Sequence, residues 1–229
     1  MPSSRSVSTA KKTTPVPVLK RRAADMAYDK IETLISKLVL VPGSPIVEAD
    51  VVEMIGLGRT PVREALMRMV SIGLAVQQPR RGLLVSSINV AAHLDVIATR
   101  RVLETLIAAY SARRATKEQR TQLVACAENM VEAAERGNLD DYMIADQELD
   151  HVNHAACRNS SAVKAVVPLI VQCRRFWYAY REDADSVEAA RAHFAMAEGI
   201  ATGNANNAIL GANQLMDYLE RFTRHVIDN

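Results

Sequence analysis

Arg59 and Arg63 lie one helical turn apart in the segment GRTPVREALMRM (58–69). At the N-terminal end of a helix, an arginine can bind O6 and N7 of guanine with both arms of its fork. Free backbone N–H groups there also favour phosphate. Pro61 fits the first turn of a helix, because its missing N–H would be unpaired there anyway. The spacing therefore predicts a helix that begins here and presents two arginines to a polyanion.

The same segment carries the apolar face that would hold this helix to a domain. Val62, Leu66 and Met69 recur at i, i+4 and i+7, which places them on one stripe. Either Thr60 or Gly58 can serve as the cap. For the segment alone, an exposed basic helix without a partner is the alternative interpretation.

The surrounding pattern predicts the domain that positions this helix. Apolar residues at helical spacing predict a first helix over 25–40, and a short second helix precedes the glycine-containing turn GLG. The third helix runs to a stop at Gly73. The period then changes to that of strands at 74–78 and 83–87, which are separated by PRRG. Three helices and a hairpin predict a winged helix-turn-helix.

The hairpin turn supplies a second basic element beside the third helix. A basic wing tip can reach backbone phosphate or the minor groove. The complete predicted DNA-binding set is Arg59, Thr60, Arg63, Arg68, Arg80, Arg81 and Gly82.

From residue 91 onward the chain reads as almost continuous helix, which predicts a mainly α protein with an all-α bundle as its second part. Helices are expected near 91–114, 117–136, 139–157, 160–182, 185–202 and 205–227. The predicted division is a disordered basic arm at 1–22, a winged helix at 23–88 and a helical domain at 92–228.

Charge divides the chain in the same way. Residues 1–90 hold 13 Lys and Arg against 7 Asp and Glu, whereas residues 91–229 hold 15 against 19. The first 22 residues carry six basic and no acidic side chains. This asymmetry predicts that the N-terminal part meets a polyanion.

Cysteine usage and hydropathy favour a cytoplasmic protein. Cys126, Cys157 and Cys173 form no CxxC or Cys/His cluster, so we expect buried, inert thiols rather than zinc or disulfides. The longest apolar run, AVVPLIV, is far shorter than a membrane span. The N-terminus lacks the apolar core of a secretory signal, and no membrane partner is expected.

The segment KLVLVPGSPIVEADVVEMIGLGRTPVREALMRMVSIGLAVQQPRRGLLV closely resembles the N-terminal domain of GntR-family bacterial transcription regulators. The resemblance implies a dimer that binds a palindromic double-stranded DNA operator. It matches Arg59, Thr60 and Arg63 to the family's base- and phosphate-contacting residues and Gly82 to its wing-tip glycine. Two positions depart from the pattern, because Gly58 replaces a frequent serine and Ala49 replaces a basic contact residue of some members.

The helical part resembles the FCD (FadR C-terminal) ligand-binding domain in the segments RRVLETLIAAYSARRAT, DQELDHVNHAACRN and AHFAMAEGIATGN. Many such domains hold a divalent metal through one Asp and three His. Asp146 and His193 match two of these ligands, and Asp150 stands where the first His is expected. The last His position falls at Leu215 or near Tyr218. The resemblance therefore implies a partial set for a Zn-, Ni- or Mn-type ion, with solvated carboxylates or an Asp150 ion pair as the alternative.

Arg100 is the predicted effector-binding residue, together with Glu104. An arginine on an otherwise apolar helix can bind a small carboxylate with both arms of its fork. The alternative is a structural ion pair with Glu104, which lies four residues away. The aromatic cluster RRFWYAYRE at 174–182 fits a core, a dimer contact or a pocket wall.

Other classes of protein find little support. The segment ELDH has the Glu-x-x-His spacing of di-iron bundles, but the chain has no second such motif. It also lacks a P-loop, a nucleophile elbow and a dinucleotide fingerprint, so we expect no enzyme. The remaining alternative is an architectural DNA-binding protein that responds to no effector. The favoured hypothesis is a metabolite-responsive, homodimeric repressor.

Overall fold

The computed structural model describes residues 22–229, so the predicted basic arm lies outside the described residues except for Arg22. The elements are α1 (Ala23–Ser36), α2 (Glu48–Ile55), α3 (Arg59–Ser71), β1 (Ala75–Gln78), β2 (Gly82–Val85), α4 (Val90–Arg114), α5 (Lys117–Glu135), α6 (Leu139–Cys157), α7 (Ser160–Ala179), a 3-10 turn (Arg181–Asp183), α8 (Ser186–Ala201) and α9 (Ala205–Asp228). The predicted mainly α fold, a winged helix-turn-helix followed by a helical bundle, is confirmed.

The first helix is shorter than predicted. It ends at Ser36 instead of Leu40, because Leu38 adopts a left-handed conformation with a φ of 58°. The N–H of Leu40 then donates to the carbonyl of Leu34 at 3.0 Å. This reversal carries Leu40 into the core, where a continued helix would not place it.

The wing is an antiparallel hairpin in which Ala75 pairs with Val85 and Gln78 with Gly82. A third segment, at 43–46, lies along the other edge of β2. The N–H of Gly43 donates to Val85 at 2.9 Å, and the N–H of Ile46 donates to Leu83 at 2.8 Å. The loop after α1 therefore anchors the wing, because it satisfies backbone groups that a two-stranded hairpin leaves open.

The N-terminal helices close over one apolar core. The stripe predicted for the third helix is buried, and it packs against α1. The same buried cluster includes Val171, which belongs to α7, so the helical domain contributes directly to this core. The largest fully buried residues of the cluster are Ile31, Ile35, Met69 and Leu74.

The helical domain begins every helix with a side-chain cap. In each case an oxygen of the residue before the helix accepts a hydrogen bond from a backbone N–H of the first turn, which satisfies a donor that the helix itself cannot. These caps are Asn89, Thr116, Asn138, Asn159, Asp185 and Asn204. The six predicted helices are all present, and α7 ends three residues before the predicted end.

The bundle packs α4 and α8 against α9, and α5 against α6 and α8. The three cysteines are free and buried, as predicted. Within residues 22–229, no helix combines the length and the apolar character that crossing a membrane requires.

Candidate nucleic-acid interface and buried charge cluster

The start of α3 is shaped by two glycines and a proline. Gly56 ends α2 in the left-handed conformation, with a φ of 66°. Gly58 is the N-cap of α3 and brings no side-chain hydrogen bond. Pro61 occupies the third helical position, within the first turn as predicted. Arg59 and Thr60 lie at the exposed tip of this turn. The end of α3 that faces solvent is therefore both basic and without a side-chain cap.

Arg63 has a partner that the sequence did not suggest. Its Nε donates to Oε2 of Glu48 at 3.0 Å, and one terminal nitrogen donates to Oε1 at 2.9 Å. This two-bond fork joins the first turn of α2 to α3 and leaves the guanidinium exposed. The sequence held a signal for this ion pair. Glu48 is an acidic residue in the first turn of α2, and the helix that follows α2 begins with basic residues. Glu48 therefore fixes the Arg63 guanidinium at the surface of the domain.

Arg68 faces a different part of the domain. Its guanidinium donates to Asp25 at 2.9 Å and lies over the ring of Tyr28, 4.1 Å from the centroid. Both partners belong to α1, so in this structure Arg68 contributes to the packing of α3 on α1. Its predicted DNA contact stays a prediction.

The wing tip presents its three predicted residues to solvent. Arg80, Arg81 and Gly82 are all exposed in the turn between the strands. Arg80 and Gly82 have φ values of 66° and 78°. Because a left-handed conformation is unfavourable for residues with a Cβ, Gly82 is the residue that makes this tight turn accessible.

In the helical domain, Arg100 and Glu104 form the ion pair that was the alternative to effector binding. Nε of Arg100 donates to Oε1 of Glu104 at 2.9 Å, and both side chains are buried. Burial opposes the charge of Arg100, but Glu104 outweighs it and raises the pKa of the guanidinium. The predicted effector residue thus already has one carboxylate partner.

The predicted metal ligands surround an arginine. Nε of Arg174 donates to Asp146 at 2.6 Å, and a terminal nitrogen donates to Asp150 at 2.7 Å. His193 approaches the second oxygen of Asp146, with 3.3 Å between Nε2 and Oδ1. Its Nδ1 lies 2.8 Å from the carbonyl of Ala189. The structure therefore brings the three predicted residues together around Arg174, and the Asp150 ion pair that was the alternative to metal binding is present.

Charge and burial compete within this cluster. Burial opposes the ionisation of Asp146, but the charge of Arg174 and the hydrogen bond with His193 hold its pKa well below the usual range. Burial raises the pKa of Asp150 against the charge of Arg174, and the neighbouring Asp146 carboxylate raises it further. The pKa of His193 is raised, because the hydrogen bond and charge of Asp146 outweigh burial. The cluster is a strongly interacting unit rather than a set of independent ligands.

These residues do not fit a divalent ion as they stand. Both carboxylates already neutralise a guanidinium, and Leu215 and Tyr218 line the cavity where a further His would be needed. Among residues 22–229, no group of three or more His, Cys, Asp or Glu side chains is arranged to hold a metal ion.

A cavity of about 40 Å³ lies in the middle of the helical domain. Arg100, Asp146, Arg174 and His193 line it together with aromatic and aliphatic side chains. A space of this size holds about three water molecules. A larger cavity of about 270 Å³ lies between α1 and the α6–α7 pair, and Glu32, Asp150 and Arg174 line it.

Arg175 and Lys37 form polar contacts between the winged helix and the helical domain. Arg175 donates to the hydroxyl and the carbonyl of Ser86 at 2.9 and 2.8 Å. Lys37 donates to Asp140 at 2.5 Å. The pair RR at 174–175 was a signal for buried ion pairs, because two charges inside an apolar helix need partners. The sequence analysis interpreted this segment by its aromatic residues and did not assign partners to the two arginines.

Two family models match the chain. The model for bacterial regulatory proteins of the gntR family matches residues 23–85, and the FCD domain model matches residues 95–217. Curated relatives include the HTH-type transcriptional repressor RspR of Escherichia coli, which is 32% identical over 108 residues. This match covers 47% of each chain, so the chain spans about half the length of that relative. An HTH-type regulator from a ttuE-ttuC' intergenic region of Agrobacterium vitis is 30% identical over 137 residues, 57% of this chain and 78% of the relative.

Solved structures share the fold at lower sequence identity. Escherichia coli McbR/YncC superimposes with a TM-score of 0.79 at 16% identity, over 91% of this chain and all of the other. A GntR regulator of a Rhodococcus species gives a TM-score of 0.65 at 15% identity, over 90% and 97% of the two chains. With the winged helix, the helical bundle and both family models in agreement, the chain belongs to the GntR family of bacterial transcription regulators and carries an FCD domain.

Proposed function

We propose that this GntR-family regulator is a metabolite-responsive repressor that binds a palindromic operator as a dimer and takes a small organic acid in its helical domain. The observation that carries the proposal is the exposed basic start of α3 beside the exposed wing tip. A helix of this kind enters the major groove with its N-terminal residues. Repression rather than activation is proposed because the chain is similar to the transcriptional repressor RspR.

Operator reading is assigned to Arg59 and Arg63, with Thr60 on backbone phosphate. The ion pair of Arg63 with Glu48 does not oppose this role, because water and salt screen exposed pairs. DNA can therefore take over the guanidinium, which is exposed beside Glu48. The wing arginines then reach the adjacent backbone or minor groove.

A dimer would place two winged helices on half-sites about one helical turn apart. The surface that supports a dimer is apolar and lies on two neighbouring helices. Val102 and Leu106 are exposed one turn apart on α4, and Leu210 is exposed on α9, which packs along α4. Burying these side chains against a second copy would remove apolar area from water.

Selection from a random duplex library tests the DNA-binding part. The full chain should enrich an inverted repeat, and Arg63→Ala should lower affinity for it by roughly 5- to 150-fold while the protein stays folded. Arg136→Ala is the matched control, because it removes an exposed arginine of the helical domain. An affinity of Arg63→Ala for the repeat within about twofold of the wild-type value at physiological salt would contradict the assignment.

The effector part rests on the cavity beside Arg100. A carboxylate that enters there would meet Arg100 and His193 among aromatic walls. Because the cavity is small and Arg100 is already paired, binding requires the site to open. Ligand binding would then favour one arrangement of the dimer over another.

The small size of the cavity and the pairing of Arg100 with Glu104 favour a second candidate, a DNA-binding protein that responds to no effector. Thermal unfolding with a panel of small mono- and dicarboxylates distinguishes the two. A regulator gains stability with one of them, and that ligand weakens operator binding. The double variant Arg100→Gln/Glu104→Gln removes both charges and should lose the shift. Wild-type protein that responds to no carboxylate of the panel would favour the effector-blind candidate.

A further inference from the structure

Three carboxylates from two domains converge on the guanidinium of Arg174. Two of them, Asp146 and Asp150, accept its hydrogen bonds from α6. The third, Glu32, belongs to α1 and lies 3.9 Å from the remaining terminal nitrogen. Asp146 and Asp150 are buried, and the side chains of Arg174 and Glu32 are largely buried.

We propose that Arg174 is the resident cation of this site and takes the place that a divalent metal ion occupies in related domains. The guanidinium bridges the i, i+4 carboxylates of Asp146 and Asp150, which is the pair predicted to bind metal. Each carboxylate accepts one N–H of the planar guanidinium, which satisfies an oxygen that would otherwise be buried without this partner.

A metal ion could enter this cluster only by displacing Arg174. The displaced guanidinium would be left buried with a single distant acid, Glu32, which is unfavourable. The ion in turn would find the imidazole of His193 beside the two carboxylates, and within residues 22–229 no group of three or more such side chains is arranged to hold an ion. The donor set is therefore complete with an arginine and incomplete with a metal.

An arginine at this site also reaches an acid of the other domain, which a small ion between Asp146 and Asp150 would not. Its third nitrogen faces Glu32, so the charge centre extends from the helical domain to the first helix of the winged domain. The next residue, Arg175, binds Ser86 at the end of the wing. The positive charge of Arg174 thus lies on the helix whose Arg175 also contacts the winged domain. If the proposed effector response occurs, α7 is the element that connects the two domains.

Metal content and thermal unfolding of the full chain test the proposal without DNA or effector, so the result is independent of the proposed function. After chelator treatment and reloading with Mn, Ni or Zn, the wild-type protein should retain no stoichiometric metal and keep the same Tm. Arg174→Gln should lower Tm by roughly 10 °C, because it leaves two buried carboxylates without a cation. About one equivalent of metal should restore part of the lost Tm of Arg174→Gln, because the freed carboxylates and His193 are N/O ligands that such ions accept. Adding Asp146→Asn should abolish that uptake.

Two further variants keep the test decisive. Arg175→Gln is the matched control, because it removes the neighbouring arginine but leaves every carboxylate partner in place, so added metal should not raise its Tm. Arg174→Lys keeps the positive charge and should fold without taking up metal even if Arg174→Gln does not fold. One equivalent of metal in the wild-type protein that Asp146→Asn removes would overturn the proposal, as would metal uptake by Arg174→Lys.

Discussion

The winged helix and the helical domain use the same ion pair in opposite environments. Arg63 and Glu48 meet through a two-bond fork whose side chains are 69% and 30% exposed. Arg100 and Glu104 meet at side-chain exposures of 6% and 3%. Water and salt screen the first pair, so a phosphate or base can replace its acid at little cost. The second pair cannot be opened without burying an unpaired charge. Exposed pairs thus serve exchange with a partner, and buried pairs hold the bundle together.

The helix starts show the same contrast. Each of α4 to α9 begins with a side-chain cap, whereas none of α1, α2 and α3 does. A cap satisfies one or two of the four N–H groups that a helix start leaves unpaired, and an uncapped start leaves these too for water or phosphate. The domain that binds DNA therefore keeps both its charges and its helix ends open to a partner.

The largest expected effect comes from breaking the two ion pairs in the same way. Glu104→Ala should destabilise the protein by about 3–5 kcal/mol, because it leaves Arg100 buried without its carboxylate. Glu48→Ala should leave the free energy of unfolding almost unchanged, because water and salt already screen that pair. Urea unfolding of both variants at the same pH and salt measures the difference. Equal losses for the two would remove the contrast between the domains.

The second prediction concerns the close packing of α8 on α9. A Cβ at Gly211 would overlap the backbone of Met196, and one at Gly199 would overlap the backbone at Ala208. Because backbone atoms cannot move aside easily, Gly211→Ala should cost about 3 kcal/mol. Gly58→Ala is the control in the winged helix, since its Cβ would meet only Pro61 at an ordinary 3.7 Å. Urea unfolding again decides, and a Gly211→Ala protein as stable as the Gly58→Ala control would contradict the packing.

The third prediction uses pH. His93 is buried against Phe176, with ring centroids 3.9 Å apart, and burial together with the charge of Arg100 lowers its pKa from 6.5 to about 4. The unfolded chain therefore takes up this proton first as the pH falls, so stability is complete above pH 6.5 and declines toward pH 4. Linkage gives a loss of about 2 kcal/mol between pH 7.5 and 5. His93→Gln should lack this part of the decline, so the stability difference between the variant and the wild-type protein should shift by that amount. A difference that is the same at both pH values would show that His93 does not titrate in this way.

Sequence reasoning succeeded where the signals were local. Pro61 placed the start of α3, and polar residues such as Asn138 and Asn204 marked starts in the bundle, because capping and turn chemistry act over a few residues. It missed partners that are distant in the chain. Glu48 lies 15 residues from Arg63, and Arg174 lies 28 residues from Asp146. Tertiary packing alone determines such contacts, so the resemblance could identify the carboxylates but not the cation between them.

The smallest expected effect comes from Gly58→Ser, which would give α3 a side-chain cap like those of the helical domain. A serine at position 58 fits, because Gly58 has an ordinary extended backbone with a φ of −66° and an added Cβ would meet Pro61 at an ordinary contact distance of 3.7 Å. An N-cap hydroxyl accepts a hydrogen bond from the backbone N–H of the second or third helical residue. Here the third residue, Pro61, has no N–H, so the serine hydroxyl would have one possible partner fewer than usual. Gly58→Ser should therefore stabilise the protein by only a few tenths of a kcal/mol, about 0.3. Its affinity for the selected operator should rise about threefold through one neutral phosphate contact, with an unchanged salt dependence. Gly58→Ala, measured in parallel, separates the hydroxyl from the added Cβ, and an equal gain with alanine would mean that the open start of α3 makes no phosphate contact at this residue.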